Sequence, residues 1–326
     1  MTKSVDILTV CEEGHQQRLD KWFKLKYPEL THSRLQKLIR TGQIRVNSKR
    51  VRSSTRLEEG QDVRVPRFKL DPTKASNNVK ALPHINVKDY QLIESMILFE
   101  DEFILVLNKP FGMAVQGGTG TRRHIDGILT GMTDRFGCRP RLVHRLDRDT
   151  TGVLLLAKSR NTAAKICQAF QTRSVEKLYW ALVVGVPRPT SGTIEAALVK
   201  APGISGDKIR KAQRGEQKEA MHATTSYSVV ELVANKVSWV SLKPLTGRQH
   251  QLRAHMDIIG HPIIGDNKYN TQQVINLGAH SAKLHLHARH LAMPHPHTHD
   301  RIEVTAPLSN HMLETWKMLG LSVKAP

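Results

Sequence analysis

The chain has 326 residues, with 49 Lys and Arg against 29 Asp and Glu, which gives a formal net charge of +20 and a pI of about 10.1. Such an excess of positive charge predicts a polyanionic partner. No run approaches the roughly 20 apolar residues of a membrane-spanning helix, and the N-terminus lacks the apolar core of a signal peptide. We therefore expect a cytoplasmic protein that binds nucleic acid and does not enter a membrane.

The length predicts one large domain and one small module, and 39% apolar residues can supply a core. Three cysteines occur, Cys11, Cys138 and Cys167. Their wide spacing fits neither a disulfide framework nor a zinc knuckle, so we expect them to be reduced and non-catalytic. A monomer is the default expectation for the oligomeric state.

Basic residues concentrate near the N-terminus. Residues 16–68 carry 14 Lys and Arg and 5 Asp and Glu, and the stretch 31–56 holds eight basic residues and no acidic one. Within it, Leu35, Leu38 and Ile39 have the spacing of one helix face, with Ser33 as the predicted N-cap. Gly42 is predicted to end this helix.

Two short alternating segments follow this helix, Ile44-Arg45-Val46 and Val63-Arg64-Val65, and a turn is predicted at Asn47-Ser48. The pattern indicates a compact α+β unit with one cationic face. That face is either a solvated surface or a set of phosphate contacts, which would give affinity and salt dependence but little sequence specificity. The predicted RNA-binding side chains are Arg34, Lys37, Arg40, Arg45, Lys49 and Arg50.

The same region resembles the S4 RNA-binding domain. The resemblance rests on the segments Arg18-Leu19-Asp20-Lys21-Trp22, Ser33 to Ile39, and Gly42 to Asn47. It implies binding to structured RNA by residues 16–68, with residues 1–15 as an N-terminal segment. Residues 69–90 lack apolar periodicity and are predicted to form a linker, which leaves residues 91–326 as the larger domain.

Short apolar strands mark this larger domain, at Ile104–Leu107, Val153–Leu156 and Ala181–Val184. Helical candidates are sparse, the clearest being 161–171 and 249–259, so a Rossmann-type fold is not expected. The predicted fold class is α+β, a small S4-like RNA-binding domain plus a catalytic domain built on a mixed, mostly antiparallel β-sheet.

Charge is unusually dense in residues 144–152, His-Arg-Leu-Asp-Arg-Asp-Thr-Thr-Gly, immediately before an apolar strand. One interpretation is a hairpin loop held by its own salt bridges; the other is a functional site. A carboxylate can attack or stabilise a sugar C1′ while a glycosidic bond breaks, and a neighbouring Arg would orient it. The charge pattern alone does not choose between Asp147 and Asp149.

This nine-residue run resembles the signature loop of the RluA family of pseudouridine synthases, which usually has Ser where this chain has Thr151. Three more stretches agree in order: Lys109-Pro110 with Ala114 to Gly118, Lys177 to Ala181, and Leu245 to Arg253 continuing to Asp266. The resemblance covers nearly the whole chain. It implies that Asp147 is the catalytic carboxylate, that Tyr179 stacks on the target base and that Arg248 pairs with Asp147.

The resemblance also implies roles for residues around this set. Arg145 would enter the RNA stack when the uridine flips out, and Leu284 with Leu286 would form the apolar floor of the uracil pocket. Each role has a plainer alternative: Tyr179 and both leucines could be core residues, Arg145 a surface residue, and Arg248 one more phosphate contact.

No cofactor is expected. The run His295-Pro296-His297-Thr298-His299-Asp300 lacks a regular metal-ligand spacing and is predicted to be a polar turn between strands. The segment Gly117-Gly118-Thr119-Gly120 lacks the Lys-Ser/Thr of a nucleotide-binding loop, so no nucleotide cofactor is predicted. Neither a metal site nor ATP binding is therefore expected.

The function implied by the resemblance is isomerisation of specific uridines to pseudouridine in 23S ribosomal RNA, the S4 module favouring a ribosomal target. Two alternative functions are compatible with the sequence: a related synthase that acts on tRNA, and a non-catalytic S4-type assembly factor. A nucleoside hydrolase would also use carboxylates, but it normally needs a pair of them.

Overall fold

In a computed structural model, the described part of the chain comprises residues 5–11, 14–27, 30–66, 86–118, 121, 123–201, 208–269, 275, 277–278 and 282–323. The chain divides into two compact units, Met1–His84 and Ile85–Pro326. None of the helices in these ranges combines the length and apolarity that crossing a bilayer requires.

The first unit packs two helices on a three-stranded sheet. Its elements are β1 (Val5–Thr9), α1 (Leu19–Lys26), α2 (His32–Arg40), β2 (Arg45–Val46) and β3 (Asp62–Pro66). The antiparallel sheet has the order β1-β3-β2. Buried apolar side chains between sheet and helices include Phe23, Leu35, Ile39, Leu57 and Val63.

Most of the predicted local structure of this unit is present, with two corrections. Helix α2 begins at His32, so its N-cap is Thr31 and not Ser33. The turn predicted at Asn47 and Ser48 is present, and both residues have a positive φ. Strand β1 pairs along its length with β3, so residues 5–9 belong to this sheet and are not a separate N-terminal segment.

The second unit is built on one large sheet with helices packed against it. Its helices are α3 (Val87–Met96), α4 (Ile125–Gly131), α5 (Thr133–Phe136), α6 (Arg160–Gln171), α7 (Gln251–Ile258) and α8 (Asn310–Met318). Its strands are β4 (Ile97–Glu100), β5 (Ile104–Lys109), β6 (Arg141–Leu142), β7 (Thr151–Ala157), β8 (Glu176–Val184), β9 (Ser191–Ala201), β10 (Lys208–Lys211), β11 (Met221–Val233), β12 (Val237–Pro244), β13 (Leu286–Pro294) and β14 (Arg301–Thr305).

The sheet has 11 strands in the order β10-β9-β11-β12-β8-β13-β7-β5-β4, with β14 beside β13 and β6 beside β7. Among the described strand pairs only β13 and β7 run parallel, so the predicted mixed, mostly antiparallel α+β fold is confirmed. Every residue of β7 is buried, because the central strands are covered on both faces. The three apolar runs that the sequence predicts as strands lie in β5, β7 and β8 of this sheet.

Helices were harder to predict than strands. The two candidates at 161–171 and 249–259 correspond to α6 and α7. Helix α4 was missed because Gly127 and Gly131 interrupt its apolar pattern. Helix α8 was missed because its buried face includes the polar His311 and Thr315.

Helix α3 begins at Val87, where the Asn86 side chain caps it by accepting a hydrogen bond from the Lys88 N–H. Residues 87–90, predicted as linker, are therefore helical. The rest of the predicted linker from residue 69 to residue 85 lies outside the described residues.

Three tryptophans anchor the core on the side of β8 and β12 that faces α8. Trp180, Trp239 and Trp316 are each at most 2% exposed. Trp180 and Trp239 meet edge to face with ring centroids 4.5 Å apart. This cluster fixes β8 and β12, the two strands whose ends border the candidate site.

Gly152 is the last residue of the charged loop and pairs in parallel with Ala288 of β13, one residue after the pair of Thr151 with His287. Its φ is +103°, and a Cβ added there would lie 2.2 Å from the Ala288 carbonyl oxygen. Gly137 also has a positive φ, +66°, but a Cβ there would meet nothing within 4 Å.

We predict that Gly152→Ala lowers the free energy of unfolding by more than about 3 kcal/mol, because the backbone of β13 must move. Gly137→Ala should cost only about 1–2 kcal/mol, which is the cost of the backbone conformation alone. Urea unfolding of both variants measures the difference. Equal losses would contradict the argument from the close approach of β7 and β13.

Candidate active site

A cavity of about 430 Å³ opens in the second unit. The charged loop before β7 forms one wall, β8 supplies Tyr179, and the segment leading into α7 forms the opposite wall. The apolar side chains that line it include Leu146, Leu252, Leu286 and Phe170. A few polar groups in a mostly apolar cleft are typical of a ligand site.

Asp147 lies in this cavity, with 19% of its side-chain surface exposed. Its Oδ2 is 3.7 Å from Nη1 of Arg253 and 3.8 Å from Nε2 of His250. Asp149 is not among the lining residues and pairs instead with its neighbour Arg148 at 3.1 Å. The fold therefore separates two carboxylates that the charge pattern left equivalent.

Arg253 is the cation beside Asp147. Its Nε and Nη2 each donate to the Asp266 carboxylate at 2.7 Å, and the Asp266 side chain is fully buried. Burial is the largest single influence on the pKa of Arg253 and lowers it, but the hydrogen bonds to Asp266 together with the charges of Asp266 and Asp147 outweigh burial and hold that pKa above its ordinary value. Burial lowers the pKa of His250. Arg253 is therefore the lasting positive charge at this carboxylate.

Arg248 does not take the predicted position. It is exposed at the rim of the cavity, and its Nε donates to the His222 carbonyl oxygen at 3.1 Å. The Gln251 side chain accepts a hydrogen bond from the Arg248 backbone N–H at the start of α7. Arg248 thus precedes the helix and faces the rim, whereas Arg253 lies within the helix on its buried side.

A signal for Arg253 was present in the sequence. It stands between Leu252 and Ala254 in an apolar helix segment, where a buried cation requires carboxylate partners. The resemblance assigns the role to Arg248, the first arginine of the motif, and the order of residues along the chain does not show which way each side chain points.

Tyr179 lies at the centre of the sheet, opposite Leu242 of β12 and Ala288 of β13. It packs against two core clusters and also lines the cavity. Burial, with a contribution from the charge of Asp147, raises the pKa of Tyr179. Its hydroxyl is therefore neutral at physiological pH, and the side chain belongs to the core while also lining the cavity.

Only some of the remaining predicted site residues line the cavity. Arg145 is exposed and lines the cavity, and no carboxylate of the described chain pairs with it. Leu286 lines the cavity, whereas Leu284 does not and packs in the adjoining core cluster. Of the two leucines predicted for the pocket floor, only Leu286 lines the cavity, and Leu252 lines it too.

Several residues hold the loop that carries Asp147. Lys109, fully buried, donates to the carbonyl oxygens of Pro110, Met113 and Arg148 at 2.7–2.9 Å. Burial lowers the pKa of Lys109 to about 7. His144 accepts a hydrogen bond from the Leu155 N–H at 2.8 Å, and desolvation lowers its pKa to about 4, so it is a neutral acceptor. The resemblance included Lys109 and His144, but only the fold gives their roles.

The predicted RNA-binding side chains of the first unit are mostly exposed. Arg34, Lys37, Arg40, Lys49 and Arg50 reach the surface, and Arg34 and Lys37 line a shallow groove along α2. The exception is Arg45. It is half-buried and donates to the Gly42 and Ser48 carbonyl oxygens, so its guanidinium braces the turn.

The histidine-rich run forms the polar turn between β13 and β14, as predicted. His295 contacts Asp101 at 3.1 Å, and His297 contacts Thr162 at 3.0 Å. Within the described residues, no group of three or more His, Cys, Asp or Glu side chains could hold a metal ion. Thr119 and Gly120 of the predicted glycine turn lie outside the described residues.

Comparison with known proteins gives consistent matches over nearly the whole chain. Residues 103–257 match the RNA pseudouridylate synthase family, and residues 17–63 match the S4 domain. The chain is 34% identical to ribosomal large subunit pseudouridine synthase C of Salmonella typhi, covering 98% of both chains. It is 33% identical to the protein of that name from Escherichia coli strain K12, covering 94% of both.

A solved structure supports the same relation. Human RNA pseudouridylate synthase domain containing 4 superposes with a TM-score of 0.61 at 28% identity, covering 73% of this chain and 99% of that one.

The geometry predicts different consequences for the two arginines of the α7 motif. Arg253→Ala should lower the free energy of unfolding by about 3–5 kcal/mol, because it leaves the buried Asp266 without its partner. Arg248→Ala should change it by less than about 0.5 kcal/mol, as expected for an exposed side chain. Chemical denaturation checks both values. Comparable losses would show that Arg253 does not hold the buried carboxylate.

Proposed function

Because the chain belongs to the RNA pseudouridylate synthase family and carries an S4 domain, we propose that it converts uridines of large-subunit ribosomal RNA to pseudouridine, with Asp147 as the catalytic carboxylate. The reaction class follows from the family: the protein is a pseudouridine synthase, an isomerase. The ribosomal target is favoured by the function for which its relatives are named and by the basic S4 unit. Such a substrate would place its activity in the cytoplasm.

One observation carries the assignment of Asp147. Of the described residues that line the cavity, it is the only one with a carboxylate, and it lies beside the permanently charged Arg253 and near Tyr179. Arg253 orients this carboxylate, since its own position is fixed by Asp266. A hydrolase with paired acids would require a second carboxylate in the cavity.

The proposed chemistry rearranges atoms without adding any. The N1–C1′ bond of uridine breaks, the uracil turns within the cavity, and C5 bonds to C1′ while C5 loses a proton and N1 gains one. Asp147 attacks C1′ or removes a C2′ proton during bond cleavage. The uridine must leave the RNA stack first, because these atoms are inaccessible inside it.

The walls of the cavity complete this chemistry. Tyr179 and Leu286 offer an aromatic face and an apolar floor to the detached uracil. Excluding water matters because a detached base must recombine with C1′ before a water molecule does. Arg145, which is exposed and lines the cavity, fills the gap left by the flipped base in this proposal, and the S4 unit supplies phosphate contacts.

The carboxylate assignment is tested with Asp147→Asn, which keeps the shape of the side chain and removes its charge. We expect conversion of 23S ribosomal RNA under single-turnover conditions to fall by at least about 10³-fold, with RNA affinity nearly unchanged. Carbodiimide primer extension maps the modified uridines.

Asp149→Asn is the matched control, because it alters the same loop outside the cavity and should retain most activity. A fully active Asp147→Asn protein would refute the assignment. Transfer RNA offered in the same assay decides the substrate: conversion of tRNA alone would refute the ribosomal target while leaving the reaction class intact.

The role of the first unit predicts a salt effect. Replacing Arg34, Lys37 and Arg40 together with Gln should weaken RNA binding and reduce the slope of log K against log salt by about 0.7–0.9 for every phosphate that the variant no longer neutralises. Activity on a short stem-loop should survive at least in part. Filter binding at several salt concentrations measures the slope.

A triple Gln variant at Lys165, Lys236 and Lys317 loses the same charge from exposed positions on the second unit. An unchanged slope in the α2 variant, or an equal change in this control, would contradict an RNA-binding role for the S4 unit.

A further inference from the structure

A second cavity, of about 440 Å³, lies beside the one that holds Asp147. The two share a wall formed by Phe170, Lys177, Pro244 and Leu245. The mechanism above makes no use of this second cavity. A polymer strand that enters the first cavity can therefore continue directly into the second.

The cavity exists because two neighbouring strands diverge. β12 pairs with β8 only as far as Leu242 opposite Tyr179, yet it continues along β11 to Pro244. Residues 176–178 of β8 keep β13 as their neighbour on the other side. Among the described residues no strand fills the gap that opens between Leu178 and Lys243.

Arg289 lines the second cavity from a bulge in β13. Pairing with β8 shifts there, since Ala288 opposes Tyr179 whereas His290 opposes Leu178. A bulge re-aims the extra side chain, and the Arg289 guanidinium lies over the Trp180 ring, 4.3 Å from its centroid. It also donates to the Ala306 carbonyl oxygen. Arg289 is thus held rigidly without a carboxylate partner in the described chain.

Lys177 forms part of the wall between the cavities. Its ammonium lies 5.8 Å from the centroid of the Phe170 ring, and no carboxylate of the described chain pairs with it. Glu176 is the one carboxylate among the described lining residues, and it is already bonded to Arg301 at 3.1 Å. The positive lining is therefore not neutralised from within the cavity.

Both cations are partly withdrawn from water. Burial lowers the pKa of Lys177 and of Arg289, a cost that an anion in the cavity would offset. Exposed Arg173 and Lys243 add positive charge at the rim. Arginine binds phosphate through a geometrically matched fork of donors. Apolar side chains such as Leu245 line the remaining space, which would receive the rest of a nucleotide.

We infer that the second cavity is a subsite for the RNA nucleotide adjacent to the target uridine, with its phosphate between Lys177 and Arg289. This inference rests on the proposed function, because it requires an RNA strand in the Asp147 cavity. A nucleotide held there draws the strand across the shared wall and presents the neighbouring uridine to Asp147. An acidic protein segment would suit the same charges, but it would not be continuous with the first cavity.

The test measures binding alone, in the Asp147→Asn background, with RNA stem-loops that carry one neutral methylphosphonate at a time within three linkages of the target uridine. In the Asp147→Asn protein with no further substitution, neutralising one or two of these linkages should weaken RNA binding by about tenfold. In Arg289→Gln, neutralising the same linkage should have less than about a twofold further effect. Arg289→Lys, which keeps the charge, should restore part of the sensitivity.

Lys177→Gln is a second variant that leaves the stack on Trp180 intact, and it carries the test if Arg289→Gln does not fold. Lys317→Gln is the charge-matched control, exposed on α8 and outside both cavities; its profile should equal that of the unsubstituted protein. Equal penalties at every linkage in all variants, or no sensitive linkage at all, would overturn the subsite. If an acidic peptide binds the protein but displaces RNA only poorly, the second cavity would be assigned to a protein partner.

Failure of the proposed function has a different signature. It would appear as absence of uridine conversion by the unsubstituted chain, which the binding profile does not measure. A normal conversion assay with a flat methylphosphonate profile would leave the enzyme assignment intact and remove only the subsite.

Discussion

A buried positive charge shared by two carboxylates determines the form of the candidate active site. Arg253 binds Asp266 through two hydrogen bonds of 2.7 Å and reaches Asp147 at 3.7 Å. Asp266, fully buried, supplies the stability of the pair, so the guanidinium stays in place whether or not a substrate is bound. Asp147 keeps part of its surface open and makes the longer contact. The tight pair therefore positions Arg253, and Arg253 in turn presents a fixed charge to the carboxylate that faces the cavity.

The loop that carries Asp147 depends on a second set of constraints. Lys109 binds the Arg148 carbonyl oxygen from beneath, His144 accepts from the Leu155 N–H in β7, and Gly152 permits the approach of β13. Each of these residues contacts the backbone of the loop or of the adjoining strands, and Lys109 also interacts electrostatically with Asp149 and Asp147. A loop held at several points can place one carboxylate in a cavity while its neighbour Asp149 stays with Arg148 outside it.

The sheet that supports these contacts also explains why two cavities adjoin. Where β12 leaves β8, the strand pairing that would close the sheet is missing, and polar side chains border the opening from both strands. Lys177 lines both openings, and Tyr179 lies two residues further along β8. With a net charge of +20, the protein attracts RNA over long distances, whereas these few desolvated groups act only at contact.

The sequence by itself determined the fold class, the S4 unit, the central strands and the family, because apolar periodicity, turn residues and contiguous motifs are local properties of a chain. It also singled out the loop at residues 144–152. Tertiary structure alone decided that Arg253 and not Arg248 lies beside Asp147, that Leu286 and not Leu284 faces the cavity, and that Arg45 braces a turn. These choices depend on side-chain direction across elements that are far apart in sequence. The second cavity arises in the same way, from the divergence of two strands about 60 residues apart along the chain.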